Sequence, residues 1–209
     1  IRNNHYSIRE HFRNIIMSKL ETNQVDPATG TTLTLGTSGD TISIPSGVTI
    51  ANSGTATGFG GDNTPAFLAT NGSTDQSISD QTVTKVDFGS EVYDTDSAFA
   101  TSRFTVPSGA NGKYMIYASV TYENTTGDVK SDSVRFYKNG SSVLSMEFNG
   151  NGNANMRQRS CYYSGSFDLS ASDYIEIYFV CDSASNAGSD ILGSSSSNFT
   201  YFGGYKLIT

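Results

Sequence analysis

The sequence predicts an all-β fold, an antiparallel jelly-roll sandwich of about ten strands preceded by a short β-repeat segment. Two observations lead to this prediction. Ser, Thr and Asn make up about a third of the 209 residues, a composition that favours short strands and turns over amphipathic helices. From residue 62 onward, short runs of alternating apolar residues are divided by turn clusters, a spacing typical of sandwiches and jelly rolls.

The aromatic residues place the hydrophobic core in residues 62–209. Of 12 Tyr and 12 Phe, only Tyr6, Phe12 and Phe59 precede residue 62, and so many aromatics argue against disorder. Asn139-Gly140 stands between two strand-like runs, which is the strongest short hairpin signal. The strand-like runs are PAFLAT, QTVTKVDF, SEVYDTDSAFATSRFTVP, GKYMIYASVTYE, SVRFYKNG, SSVLSMEFN, SCYYSGSFDLS, DYIEIYFVCD and NFTYFGGYKLI.

Residues 21–61 are rich in Gly, Ser and Thr and are predicted to form a shaft. Within them, three apolar pairs alternate with Thr or Ser, a period typical of strands: Leu33/Leu35, Ile42/Ile44 and Val48/Ile50. Strands this short cannot bury enough surface alone, so we expect further copies of the chain to complete a homotrimeric β-shaft. A flexible linker is the alternative.

Residues 1–20 differ chemically from the rest. Four basic residues against Glu10 give this segment a charge of +3, while the remaining residues sum to −10. Apolar residues recur here at helical spacing, at Ile8, Phe12, Ile15, Ile16 and Leu20. A short amphipathic helix here would serve as an anchor, a partner contact or a membrane-surface segment. The simpler interpretation is that residues 1–16 are upstream or non-native sequence before Met17, or the end of a longer chain. The segment lacks the pattern of a secretory signal, and no apolar run in the chain reaches the length of a membrane span.

Several motifs in residues 64–209 resemble the globular-head domain of complement component 1q, a relative of the tumour-necrosis-factor jelly roll. The resemblance begins with Pro65-Ala66-Phe67 and continues through VDFGSEVYDTDSAFATSRFTVPSGANGKYMIYASV and VRFYKNGSSV. Phe104, Val106 and Pro107 look like the family's Phe-x-x-Pro strand end. The following Gly-x-Tyr strand and the closing strand are matched by Gly112, Tyr114, Ile116, Phe199, Phe202, Gly203 and Leu207.

The resemblance implies a ten-stranded jelly roll in a compact homotrimer, carried on a trimeric stalk. The usual stalk is collagen, but no Gly recurs here at every third residue. The β-repeat and the MSKLETNQVDPATG segment resemble virion fibre proteins of marine tailed phages instead. This implies a virion protein, assembled in the host cytoplasm, whose N-terminal region contacts other virion proteins.

The sequence predicts no enzyme and no cofactor. The two histidines, His5 and His11, lie in residues 1–20, so the β-domain cannot build a Ser/His/Asp or Cys/His arrangement. The Gly-rich stretches 58–63 and 150–155 lack dinucleotide or phosphate-loop spacing and are predicted to be turns. The net charge of −7 excludes a broad basic face for nucleic acid.

One acidic cluster is a candidate for calcium. Glu91, Asp94 and Asp96 lie within one segment and offer hard oxygen ligands, and some members of the resembled family bind calcium. The segment lacks the further ligands and the glycine of a calcium loop. Solvated loop carboxylates are the simpler interpretation.

Cys161 and Cys181 each share parity with the apolar residues of their strands, which predicts that both face the core. If the two strands pair as an antiparallel hairpin, a cross-strand disulfide is geometrically feasible. Two buried free thiols are the alternative, favoured if the protein assembles in a reducing cytosol.

The segment 149–159 is too polar for a buried strand and is predicted to form a long exposed loop, an element that often carries recognition. Its candidate receptor contacts are Asn149, Asn151, Asn153, Asn155, Arg157 and Arg159, through amide and guanidinium donors. Loops 124–132 and 183–198 compete for this role.

Taken together, these features predict a non-enzymatic virion fibre or spike whose trimeric head binds a host-surface glycan or protein. A secreted, complement-like recognition or signalling ligand in the extracellular space is one alternative. A capsid or baseplate decoration protein without a ligand is another.

Overall fold

The computed structural model describes residues 25–54, 63–150, 156–194, 196 and 200–208, and the chain divides into two compact units after Thr55. In the first unit, residues 25–54 form turns and bends and contain no strand. The apolar side chains of the predicted shaft are 42% to 61% exposed: Leu33, Leu35, Ile42, Ile44, Val48 and Ile50. A single chain therefore leaves the alternating residues in solvent, and the β-shaft stays a prediction.

The second unit is all-β in its described residues, with thirteen strands in two antiparallel sheets. The strands are β1 (Ala66–Thr70), β2 (Gln76–Ile78), β3 (Thr84–Lys85), β4 (Ser90–Asp94), β5 (Phe99–Ala100), β6 (Arg103–Thr105), β7 (Gly112–Glu123), β8 (Val129–Lys138), β9 (Ser141–Asn149), β10 (Gln158–Leu169), β11 (Tyr174–Ser183), β12 (Ser189–Ile191) and β13 (Tyr201–Lys206). No helix in the described ranges is long and apolar enough to cross a membrane.

The strand order confirms the predicted jelly-roll sandwich. Sheet A runs β2-β12-β7-β13-β1-β4, and β10 lies along the other edge of β7. Sheet B runs β5-β6-β11-β8-β9, and β3 also pairs with β11. The described residues hold more strands than the ten predicted because β2, β3, β5, β6 and β12 are separate pieces of two or three residues.

The core lies between the two sheets because alternate residues of each long strand are apolar. On β7 the inward side chains from Tyr114 to Tyr122 are fully buried, and β11 presents Ile175, Ile177 and Phe179 from the opposite sheet. Phe67 stacks on Phe104 at 4.6 Å between ring centroids. Burying each such ring contributes about 2–3 kcal/mol. The motif residues that carried the family resemblance and are described here thus belong largely to the core.

The Asn-Gly hairpin is confirmed. Asn139 and Gly140 both have positive φ, 51° and 80°, as a type I′ turn requires. Lys138 pairs with Ser141 across the turn. The Asn139 side chain also donates to Asp173 Oδ1 at 2.7 Å, which ties this hairpin to the β10–β11 turn.

Strands β2 and β12 were not predicted from the sequence. They pair with each other, and β12 joins the end of β7. Their sequences, QSI and SDI, are short and polar, so neither carries an alternation signal. Their pairing depends on long-range contacts.

Candidate recognition site

The β9–β10 connection, which carries the predicted receptor contacts, is attached to the sheets at both ends. Gly150 N donates to Lys130 O at 2.7 Å, and Arg157 O accepts a hydrogen bond from Asn124 N at 2.7 Å. Asn149 is the last residue of β9. Asn151, Asn153 and Asn155 lie outside the described residues. The described ends of this segment therefore rest on a rigid β-scaffold.

The two arginines of this segment differ in environment. Arg159 Nη1 contacts both carboxylate oxygens of Asp132, at 2.9 and 2.7 Å, and its guanidinium covers the Phe148 ring at 4.4 Å. The Arg157 side chain is 63% exposed and lies 3.5 Å from Asp128. Arg159, whose side chain is 26% exposed, is thus committed to an ion pair with the buried Asp132, while Arg157 presents an exposed guanidinium.

Asp132 is the centre of a buried polar cluster that the sequence did not indicate. Its side chain has no exposed area. Besides Arg159, it accepts a hydrogen bond from the Tyr122 hydroxyl at 2.8 Å and one from Cys161 Sγ at 3.3 Å. The donors belong to two strands of sheet A, β7 and β10, and they face Asp132 on β8 of sheet B. The cluster therefore links the two sheets at the base of the β9–β10 connection.

The two cysteines face the core, as their parity predicted, but the hairpin proposed to align them does not form. Strand β10 pairs with β7 in sheet A, whereas β11 pairs with β8 in sheet B. Both cysteines are buried and free. Burial, together with the nearby Asp132 carboxylate, raises the pKa of the Cys161 thiol. Burial also raises the pKa of Cys181 to about 11, so both thiols are poor nucleophiles in the folded chain.

The acidic trio proposed for calcium is not brought together. Among the described residues, no three carboxylate, imidazole or thiol side chains lie close enough to hold a metal ion. Asp94 instead accepts a hydrogen bond from Phe99 N at 2.7 Å and closes the turn before β5. Glu91 is exposed on β4, and the Asp96 carboxylate accepts a hydrogen bond from the neighbouring Thr95 hydroxyl. The simpler interpretation, solvated and turn-forming carboxylates, fits these positions.

The competing loops 124–132 and 183–198 are joined by Asn124, which is fully buried. Its side-chain amide donates to Ala187 O at 3.1 Å and to Gly188 O at 2.9 Å. Its oxygen accepts a hydrogen bond from Gly127 N at 2.8 Å. The described parts of these two loops are therefore held together, and they lie beside the β9–β10 connection through the bond from Asn124 N to Arg157 O.

The outer face of sheet A carries a cluster of tyrosines, here called the tyrosine face: Tyr93, Tyr117, Tyr162 and Tyr201. The rings of Tyr117 and Tyr162 lie 6.2 and 6.4 Å from that of Tyr201. Partial burial raises the pKa of Tyr117, and a hydrogen bond with Tyr93 raises it further. Tyr162 is 56% exposed. Sequence alternation marks these residues as outward-facing, but only the strand order brings β4, β13, β7 and β10 into one sheet.

Gly203 lets Tyr117 lie across this face. The two residues are directly opposite in the β13–β7 register. A Cβ atom at Gly203 would lie 2.6 Å from the Tyr117 ring, closer than non-bonded carbon atoms approach. Any side chain at this position would displace the ring, so the glycine of the closing strand shapes the tyrosine face.

The geometry defines an antiparallel jelly-roll domain with a tyrosine-rich sheet face and a group of loops anchored at one end. Solved structures similar to it include the globular domain of a zebrafish complement 1qA protein, with a TM-score of 0.46 and 16% identity over 68% of this chain and 97% of that chain. Others are murine APRIL at pH 8.0, with a TM-score of 0.46 and 19% identity over 68% and 98%, and Eiger TNF from S. frugiperda, with a TM-score of 0.49 and 14% identity over 68% and 91%. No protein-family model and no curated protein matches the sequence.

Proposed function

We propose that this chain is a non-enzymatic, homotrimeric virion fibre or spike protein whose jelly-roll head binds a glycan or protein on the host surface. The observation that carries the proposal is the tyrosine face. Tyr162 and Tyr93 expose large aromatic side chains on this face, and the rings of Tyr117 and Tyr162 both lie beside that of Tyr201. Tyrosine is enriched at protein interfaces. Packing this face against further copies of the chain would bury it.

The shaft proposal rests on the first unit. Its six alternating apolar side chains are exposed in one chain, and each would contribute about 1.5–3 kcal/mol on full burial. Three copies meeting along residues 21–61 would bury them together. The shaft and the head would then assemble with the same threefold symmetry, and residues 1–20 would contact other virion proteins.

Recognition is assigned to the loops beside Asn124. Arg157 and Asn149 flank the segment of alternating Asn and Gly residues, and Arg157 is exposed. Three copies of such a loop would turn weak single-site contacts into firm attachment.

The proposal is tested by sedimentation equilibrium of the full chain, with Tyr162→Ser as the variant. Because Tyr162 is exposed in one chain, its loss should leave the single-chain fold intact but weaken the trimer. We expect a wild-type mass three times that of one chain and a dissociation midpoint shifted to higher concentration in the variant. A monomeric wild type would contradict the proposal. Fluorescently labelled wild-type protein is then incubated with a panel of intact marine bacteria, where absence of binding would favour a decoration protein.

A further inference from the structure

We infer that a groove on the outer face of sheet B binds a neutral glycan with adjacent hydroxyl groups. This inference rests on the proposed recognition function and gives it a site different from the loops. The groove has a volume of about 210 Å³. It lies between β8, β9 and β11. Its lining comprises Gln81, Ser131, Asp132, Ser133, Arg135, Glu147, Val180 and Asp182.

Two charged side chains in the groove have unused hydrogen-bonding capacity. Arg135 Nε donates to Ser133 Oγ at 3.3 Å, and Ser133 Oγ lies 3.0 Å from Ser145 Oγ. Within the described ranges, no carboxylate lies within ion-pair distance of Arg135, and Glu147 has neither an ion-pair nor a hydrogen-bond partner. The terminal nitrogens of Arg135 and both oxygens of Glu147 are therefore available to a ligand.

The rest of this sheet face satisfies its own charges, which makes the groove distinctive. Lys85 and Arg103 each contact Glu176 Oε1 at 2.8 Å. Burial alone would raise the pKa of Glu176, but the hydrogen bonds from these two cations outweigh it and lower that pKa. Lys85, Arg103 and Glu176 are therefore occupied with one another, whereas Arg135 and Glu147 keep their hydrogen-bonding capacity for a ligand.

Two aromatic rings lie on the same sheet face, beside the groove residue Arg135. Tyr178 lies directly opposite Arg135 in the β11–β8 register, and its ring packs against that of Tyr137 with centroids 4.2 Å apart. Both tyrosines are half-buried. An aromatic surface beside a few polar groups suits a sugar, whose ring offers apolar C–H faces and hydroxyls at its rim.

The charges of the groove favour a neutral sugar. Of the three lining carboxylates, Asp132 is paired with Arg159 and Asp182 lies 3.6 Å from Lys130, a residue outside the lining. The charge of Arg135 then balances that of Glu147. A ligand carboxylate or phosphate that paired with Arg135 would approach Glu147, which is the diagonal neighbour of Arg135 on β9. Adjacent hydroxyls avoid that repulsion, because the guanidinium donates to their oxygens while the carboxylate accepts their protons.

The groove remains open in the proposed trimer. The tyrosine face lies on the outside of sheet A, and the groove lies on the outside of sheet B, across the core. Assembly through the tyrosine face therefore leaves three grooves accessible, and a repeating polysaccharide can occupy more than one of them.

The test is native gel electrophoresis of the full chain in gels cast with mannan, dextran or laminarin, which are neutral, or with polygalacturonate, which is acidic. The variants are Arg135→Met and Glu147→Gln. Lys113→Met and Asp168→Asn make similar charge changes on the outer face of sheet A. They serve as matched controls after sedimentation equilibrium has shown that they assemble like the wild type. Circular dichroism melting curves verify that all four variants are folded, as expected for side chains on the protein surface.

We expect at least one neutral polysaccharide to retard the wild type and both controls, and the apparent affinity to fall by about tenfold or more in each groove variant. If the groove variants are retarded as much as the wild type, the groove is not the glycan site, and the proposed function is unaffected. Retardation by polygalacturonate alone would have the same consequence. If no polysaccharide retards the wild type, the groove inference fails. The bacterial binding assay then decides separately whether the proposed function fails with it.

Discussion

The effects of substitutions at Asp132 and Arg159 on the free energy of unfolding should be strongly coupled, because the two side chains form an ion pair. Arg159→Met would leave the carboxylate, which has no exposed area, with only the Tyr122 and Cys161 donors. Removing one partner of a buried ion pair costs about 3–5 kcal/mol, a large share of the roughly 5–15 kcal/mol that stabilises a typical domain. Asp132→Leu removes the carboxylate but leaves the buried Tyr122 hydroxyl unpaired, which lowers the free energy of unfolding by about 1–3 kcal/mol.

The double variant, Asp132→Leu with Arg159→Met, should lose little more stability than Asp132→Leu alone, because it leaves no unpaired charge. The double-mutant cycle therefore predicts a coupling energy of about 3 kcal/mol. The chain has no Trp, so urea unfolding is followed by tyrosine fluorescence and circular dichroism. All variants are compared at one chain concentration, since the stability of an oligomer depends on concentration.

Arg157→Met is the matched control. Its ion pair with Asp128 spans 3.5 Å, and both side chains are more than a third exposed, so its loss should cost less than about 1 kcal/mol. A coupling energy below about 0.5 kcal/mol, or an equal loss of stability in Arg157→Met and Arg159→Met, would refute the assignment of Arg159 to the core cluster.

Three further predictions concern other parts of the jelly roll. Gly203→Ala should lower the free energy of unfolding by about 1–3 kcal/mol, because the new Cβ displaces the Tyr117 ring; an unchanged urea midpoint would contradict this. Hydrogen bonds from Lys138, Asn139 and Ser170 N lower the pKa of Asp173 from 3.8 to about 2. The ionised carboxylate therefore stabilises the fold above about pH 4, and this contribution is lost as the pH falls towards 2. Asp173→Asn should flatten that part of the pH profile, measured by urea unfolding between pH 2 and 5, whereas an identical profile would exclude the effect. Neither Cys161 nor Cys181 should react with iodoacetamide at pH 8 until urea unfolds the chain, as mass spectrometry would show; rapid labelling of the native protein would disprove their burial.

Much of the fold was predictable because its signals are local. The alternation of apolar and polar residues marked the long strands, including all of β7 and most of β11, since a strand turns alternate side chains to opposite faces. Asn139-Gly140 marked its hairpin because those residue types readily adopt positive φ. The inward orientation of both cysteines followed from the same parity.

The candidate sites were less predictable because they depend on which strands become neighbours. Sequence proximity suggested a calcium trio at Glu91, Asp94 and Asp96, but alternation and a turn separate their side chains. Arg159 was grouped with the exposed loop because its partner, Asp132, lies 27 residues away. The groove residue Arg135 was not predicted as a site residue, because the sequence of a strand does not show whether a carboxylate will lie opposite an arginine.

By itself, the sequence determined the longer strands, their buried faces and their tightest turn, because these depend on the conformational preferences of adjacent residues. Only the tertiary structure decided that β10 and β11 belong to opposite sheets, so that Cys161 and Cys181 are not aligned by a hairpin. It also gathered four tyrosines from four strands onto one face. Sheet membership depends on the combined burial of many distant residues, and no short segment contains that information.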